Sequence, residues 1–272
     1  MLAIPYLYFL IAIFIFGIII GSFLNVVIFR LGGGKSLGGR SHCMTCGKVL
    51  RVHELVPVFS FLFQAGRCTK CKSKLSWQYP LVELSAGVFA VLTALIFIPH
   101  VFTLVSILTF LFFFSITCVL LVIAVYDIRH KIIPNKMVFL FIFLALVNLF
   151  LVKGGLWAFG SPGAPAFWAG ILIPLPFAIL FYLSRGTVMG FGDIKLMSGM
   201  GFLLGISSGI SALMISFWLG AIFGIGLLIF GKKYKAKSQI PFGPFLVFST
   251  ILIMFFPITL DSIIFFITKL FV

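Results

Sequence analysis

The stretch Gly190-Phe191-Gly192-Asp193-Ile194-Lys195-Leu196 lies between two long apolar runs and carries one of only five acidic residues among 272. A carboxylate in a hydrocarbon-embedded helix is costly, by about 2.5–3.5 kcal/mol at the helix centre on insertion scales and less toward its ends, so its presence asks for a function. A second acid, Asp127 in Tyr126-Asp127-Ile128-Arg129-His130, ends another apolar run. If both lie at one membrane face, they form a candidate acid/base pair.

Working outward from this stretch, the chain is 62% hydrophobic and 9% charged, against roughly 25% charged in soluble domains. Several apolar runs reach the ~20 residues that cross a bilayer as helix. The fold class expected is an all-α polytopic membrane protein with about eight transmembrane helices. Their approximate bounds are 5–30, 79–98, 101–127, 136–152, 166–184, a helix from Asp193 that breaks near Gly205, 208–230, and 245–272. The last contains Pro257 and Asp261. The first is read as retained rather than as a cleaved signal, because it lacks a basic n-region and exceeds an h-region in length. The expected division is 1–30 as first helix, 31–78 as a small polar segment between helices one and two, and 79–272 as the remaining membrane domain. No internal repeat stands out.

The net charge of +15 can mean nucleic acid, but the basic residues are loop-borne and fit membrane topology instead. With the N-terminus outside, 18 of the 20 Lys and Arg fall in cytoplasmic loops or at their edge; only Lys153 and Lys269 do not. The excess of positive charge on short inner loops favours this orientation. It puts Asp127 and Asp193 at one depth on the cytoplasmic face, with the bilayer as a partner and no nucleic acid.

Asp193 is expected at a helix N-terminus and Asp127 near a C-terminus, so the macrodipoles act on them in opposite senses. Together they read as a proton-sharing dyad. One carboxylate deprotonates a water and the other hydrogen-bonds the scissile carbonyl. Gly190 and Gly192 lack Cβ, so the backbone there turns sharply and approaches a substrate strand. Taken singly, each acid also fits a bland role: Asp193 as an N-cap, Asp127 as a partner of Arg129.

Cys43-x2-Cys46 and Cys68-x2-Cys71, separated by 21 residues, have the spacing of a tetrahedral four-cysteine zinc site. Four thiolates leave no open position, so the role expected is structural, in a segment that needs the metal to fold. Two disulfides are the rival reading, disfavoured by a reducing compartment. Cys118, inside a span, reads as packing. Glu83 reads either as paired with a loop cation or as active-site support. Lys195 reads as snorkelling or paired with Asp193. Glu54 and Asp261 are expected on solvated surface.

Taken together, the motifs resemble the prepilin peptidases, also called type IV leader peptidases, of bacterial pilus, competence and type II secretion systems. The resemblance is carried by Gly21-Ser22-Phe23-Leu24-Asn25-Val26-Val27, both Cys-x2-Cys knuckles, Pro57 to Leu62, Gly66-Arg67-Cys68, Tyr79-Pro80-Leu81-Val82-Glu83-Leu84 and Gly190 to Leu196. It implies that Asp127 and Asp193 are catalytic. It also implies that prepilins or pseudopilins are cut after a glycine at the cytoplasmic face of the inner membrane. Many such enzymes then N-methylate the new terminus from S-adenosylmethionine, an activity associated with the cysteine segment. The length and Ile133-Pro134-Asn135 are similar to competence-type members; many relatives have Asp where this chain has Asn135. Two other readings stay open. A presenilin- or signal-peptide-peptidase-like protease predicts a Pro-Ala-Leu motif where this chain has Pro241-Phe242-Gly243-Pro244. A proton- or cation-coupled transporter predicts acids at the midplane.

Overall fold

In hydrocarbon every backbone polar group needs an internal partner, which leaves helix as the outcome for long apolar runs without β-periodicity. A computed structural model describes residues 3–32, 36, 38–98, 103–151, 163–187, 189–230, 240–257 and 259. They form ten α-helices: α1 (Ala3–Arg30), α2 (Phe59–Phe63), α3 (Gln78–Phe97), α4 (Leu104–His130), α5 (Asn135–Leu151), α6 (Gly163–Leu172), α7 (Leu175–Leu183), α8 (Phe191–Leu204), α9 (Ile206–Phe230) and α10 (Gly243–Phe255). Among the described residues there are two isolated β-bridges and no strand.

Among the described residues five stretches are long and apolar enough to cross a membrane: Tyr6–Arg30, Gln78–Phe97, Leu104–His130, Pro165–Leu183 and Ile206–Phe230. The expected fourth, sixth and eighth spans are shorter helices; α5 has 17 residues, about 25 Å of rise. α8 has 14 residues and α10 has 13, each about 20 Å long against a core of about 30 Å. The expected break at Gly205 is present. Its φ of 89° is left-handed, and its N–H closes α8 on Gly201 O at 2.9 Å. α10 ends at Phe255, just before Pro257; Asp261 lies outside the described residues.

The fifth expected span is not one helix. It divides into α6 and α7 at Pro174, which has no N–H to give Gly170 O. That carbonyl is taken instead by Ser198 Oγ of α8 at 2.7 Å.

The chain forms two compact units, residues 1–122 and 123–272. In the first, α1 lies on α3 through glycine and alanine. A Cβ on Gly17 would stand 2.7 Å from Ala86 O and Ala90 Cβ, and one on Gly21 would stand 2.7 Å from Glu83 Cα. Asn25 Nδ2 donates to Tyr79 O at 3.2 Å, so the polar residue of the first span is tied to the start of α3. In the second unit, α8 is the central helix. A Cβ on Gly199 would meet the Phe141 ring of α5 at 2.5 Å, and one on Gly201 would meet Ala169 O of α6 at 2.5 Å. Small residues permit this close approach where lipid supplies no hydrophobic drive between helices.

Candidate active site and cysteine centre

α8 is short because it begins at a glycine turn. Gly190 is the extended N-cap (φ −76°, ψ 140°). Three residues on, Asp193 turns back to accept the Gly190 N–H, while its own N–H reaches Gly190 O at 3.2 Å. This is half of a capping box, with the acid in the first turn where the dipole favours negative charge. Gly192 is demanded by Ile133, whose Cβ would lie 2.8 Å from a Cβ at position 192.

Asp127 sits in the last turn of α4 and is 4% exposed. Its carboxylate accepts the N–H of Gly243, the first residue of α10. That N–H is one of the unpaired donors every helix N-terminus presents. Ile133 also touches this corner: its Cδ1 would lie 3.2 Å from a Cβ on Gly243. One buried isoleucine therefore wedges against the glycine beside each acid. The two carboxyl groups are close enough for the charge of Asp127 to act on Asp193. The structure thus brings together the acids of α4 and α8 on the ends of two helices, with backbone N–H donors from Gly190 and Gly243.

Lys195 does not pair with Asp193. Its Nζ donates to Asn135 Oδ1 of α5 and lies 5.1 Å and 5.5 Å from the ring centres of Phe191 and Phe139. Among the described residues the one ion pair is Lys48–Glu54. The sequence alone gives Gly243, Ile133 and Asn135 no role at the site. The Gly-Pro pair at 243–244 was the available signal, since proline is well placed in a first helical turn.

Glu83, buried in α3, pairs with no cation. Its Oε2 accepts the N–H of Val58 at 2.7 Å, and its carboxylate also bonds Ser22. Val58 has φ 62° and ψ −53°, a conformation costly for a β-branched residue. Glu83 thus holds a strained loop residue and joins α1, α3 and the cysteine segment within the first unit.

The four Sγ atoms of Cys43, Cys46, Cys68 and Cys71 all lie within 4.8 Å of one another, and Cys43–Cys71 is 3.9 Å. Zinc–sulfur bonds of about 2.3 Å set sulfur–sulfur separations near 3.8 Å in a tetrahedron, so the set fits zinc with a small contraction. The two knuckles repeat each other 25 residues apart. Cys43 N→Lys48 O and Cys68 N→Ser73 O are both 2.9 Å; Gly47 N→Cys43 O (2.9 Å) and Lys72 N→Cys68 O (3.0 Å) also correspond. Both turns need a left-handed residue, filled by Gly47 (φ 67°) and Lys72 (φ 58°). The repeat is faint in the sequence because, besides the cysteines, only Leu50 and Leu75 keep their identity across it. The N–H groups of Cys46 and Thr45 point at Cys43 Sγ and lower its pKa to about 6, which favours the thiolate a metal requires.

Glu54 corrects a sequence expectation. It is buried rather than solvated, accepting from Arg51 N at 2.8 Å, Lys48 Nζ at 2.6 Å and Thr69 Oγ1. Lys48 and Thr69 belong to opposite knuckles, so this carboxylate clasps one to the other. These bonds hold its pKa down at about 2.

Comparison with known proteins gives two family matches: residues 15–97 with the bacterial peptidase A24 N-terminal domain, and residues 114–225 with the type IV leader peptidase family. Among similar proteins, one from Bacillus subtilis (strain 168) is 35% identical over 95% of this chain and 97% of its own length. One from Aeromonas salmonicida is 32% identical over 89% of this chain and 88% of its own. One from Pseudomonas putida is 29% identical over 88% of each. All three are named prepilin leader peptidase/N-methyltransferase. No solved structure matches the chain.

Proposed function

The chain belongs to the type IV leader peptidase family, and on that premise we propose that it is a multi-pass inner-membrane peptidase in which Asp127 and Asp193 hydrolyse the leader peptide bond of prepilins or pseudopilins. The observation that carries this reading is the convergence of the two buried-edge acids, each with a glycine N–H on its carboxylate. Two carboxyls sharing one proton divide the work. The ionised one takes a proton from water as its oxygen attacks the scissile carbonyl carbon. The protonated one donates to the carbonyl oxygen. Proton return to the amine leaving group breaks the C–N bond and restores the pair.

The extended backbone at Gly190 gives a substrate strand an approachable edge. Lys195 acts as a positioning residue, tying the first turn of α8 to Asn135 of α5. Glu83 supports the cysteine segment through the Val58 N–H that it accepts. The distribution of Lys and Arg supports placing the N-terminus outside and both acids at the cytoplasmic face.

The four cysteines would hold zinc, which supplies cross-linking of the two knuckles rather than an open coordination site. The names of the relatives support a second activity, methyl transfer from S-adenosylmethionine to the amine that cleavage exposes. The test is purified protein incubated with a prepilin in mixed micelles. Wild type shortens the precursor and, with the methyl donor, adds one methyl group by mass spectrometry. Asp127→Asn and Asp193→Asn each leave thermal unfolding unchanged and abolish shortening. Cleavage surviving in either variant rejects the dyad.

A further inference from the structure

The segment between α1 and α3 carries an apolar surface that its own fold does not bury. Phe59, Leu62 and Phe63, on α2, are exposed, Phe63 to 88%; Val52 is 84% exposed and Trp77 67%. Beside them lies a cleft of about 440 Å³, walled by Phe61 and Trp77, with Arg67 and Lys74 on its lining. The two rings are 5.0 Å apart, and the two cations sit opposite each other in an antiparallel bridge. An exposed contiguous apolar patch outside a span marks an interaction surface.

Charge narrows the occupant. Residues 31–78 hold eight Lys and Arg and one acid. That acid, Glu54, is buried and paired with Lys48, so no carboxylate faces outward from this segment. Such a surface repels a basic peptide and attracts an anionic one. Tethering narrows it further. The segment leaves the membrane at Arg30 and re-enters at Gln78, one residue after Trp77, the residue type that settles at headgroup level. Apolar residues flanked by Lys and Arg are the composition of an interfacial anchor on anionic lipid.

We propose that this face docks on the anionic headgroup layer of the bilayer. Phe59, Leu62, Phe63 and Trp77 enter the acyl boundary, and Arg67 and Lys74 engage lipid phosphate. The proposal does not depend on the peptidase reading. It is tested with the full chain reconstituted in vesicles after Trp157, Trp168 and Trp218 are changed to Phe, leaving Trp77 as sole fluorophore. Acyl chains brominated near the headgroup are expected to quench Trp77, more strongly when phosphatidylglycerol is added to phosphatidylcholine. Phe63→Asp combined with Leu62→Asp is expected to restore the emission with zinc content retained. Arg67→Gln combined with Lys74→Gln is expected to remove the phosphatidylglycerol dependence. An unquenched Trp77 in both vesicle types, the result if protein covers this face, overturns the proposal. Quenching indifferent to phosphatidylglycerol overturns the anionic-lipid assignment.

Discussion

Gly243 lies so close to Asp127 that a Cβ on the glycine would stand 2.6 Å from Asp127 Oδ2. The same glycine gives that carboxylate its N–H. Any side chain at 243 must therefore displace the acid, the start of α10, or both.

Gly243→Ala is expected to lower cleavage by about 100-fold, the cost of moving a reacting group by about 1 Å, with about 1–3 kcal/mol lost to overpacking. Gly226→Ala is the control, because a Cβ there meets nothing within 4 Å; it is expected to leave turnover unchanged. Initial rates of precursor shortening and thermal unfolding of both variants check this. Equal rates would remove Gly243 from the site.

Ser198 Oγ donates to Gly170 O, the acceptor that an N–H at position 174 would take if the proline were replaced. Ser198→Ala leaves that carbonyl unpaired beside packed helices, which costs about 1–3 kcal/mol. Pro174→Ala restores an intrahelical donor. The two changes are therefore expected to couple, the double variant being more stable than the sum of the singles by about 1 kcal/mol. Unfolding of the four proteins in one detergent measures the coupling, and strict additivity would refute the arrangement.

Much of this site could be read before any coordinates. Asp193 announces itself because a carboxylate among apolar runs is expensive, and glycines on either side of Phe191 mark a turn. The four cysteines are legible because a tetrahedral metal site imposes spacing. What could not be read depends on tertiary partners. Glu54 gives no sign that Lys48, Arg51 and Thr69 close over it. Glu83 has no cation within a helical turn, and its partner, Val58 N–H, is 25 residues away. Ile133 is one isoleucine among many until Gly192 and Gly243 are seen against it. The proline in the fifth span was visible, but whether a membrane helix bends through proline or divides depends on which neighbour satisfies the freed carbonyl.

Glu54 predicts an acid response. A carboxylate whose folded pKa is lowered stabilises the fold wherever it is ionised. Its contribution is complete above the unfolded value of about 4.3 and is lost as pH falls through about 2. Glu54→Gln is thus expected to unfold earlier than wild type at neutral pH. The gap between the two midpoints should narrow from about pH 4 downward and close near pH 2. Repeating both titrations with a chelator present separates this carboxylate from any loss of metal in acid. A gap independent of pH would mean that packing, not charge, keeps Glu54 in place.

Zinc removal separates the two proposed activities. Among the described residues between α1 and α3 the regular structure is one five-residue helix and one three-residue 3-10 turn, with few buried side chains, so little besides a metal would order the knuckles. Structural zinc contributes about 10–16 kcal/mol to such folds in isolated peptides. Asp127, Asp193, Gly190, Ile133 and Gly243 all lie in the second unit, 123–272, and none is a zinc ligand. Chelation is therefore expected to expose the four clustered thiols to a thiol-reactive dye and to abolish methyl transfer, while peptide cleavage continues within about twofold. Cys71→Ser should reproduce the split without chelator. Elemental analysis showing no zinc in the native protein, or cleavage falling in step with zinc loss, would contradict a structural metal that serves only the first unit.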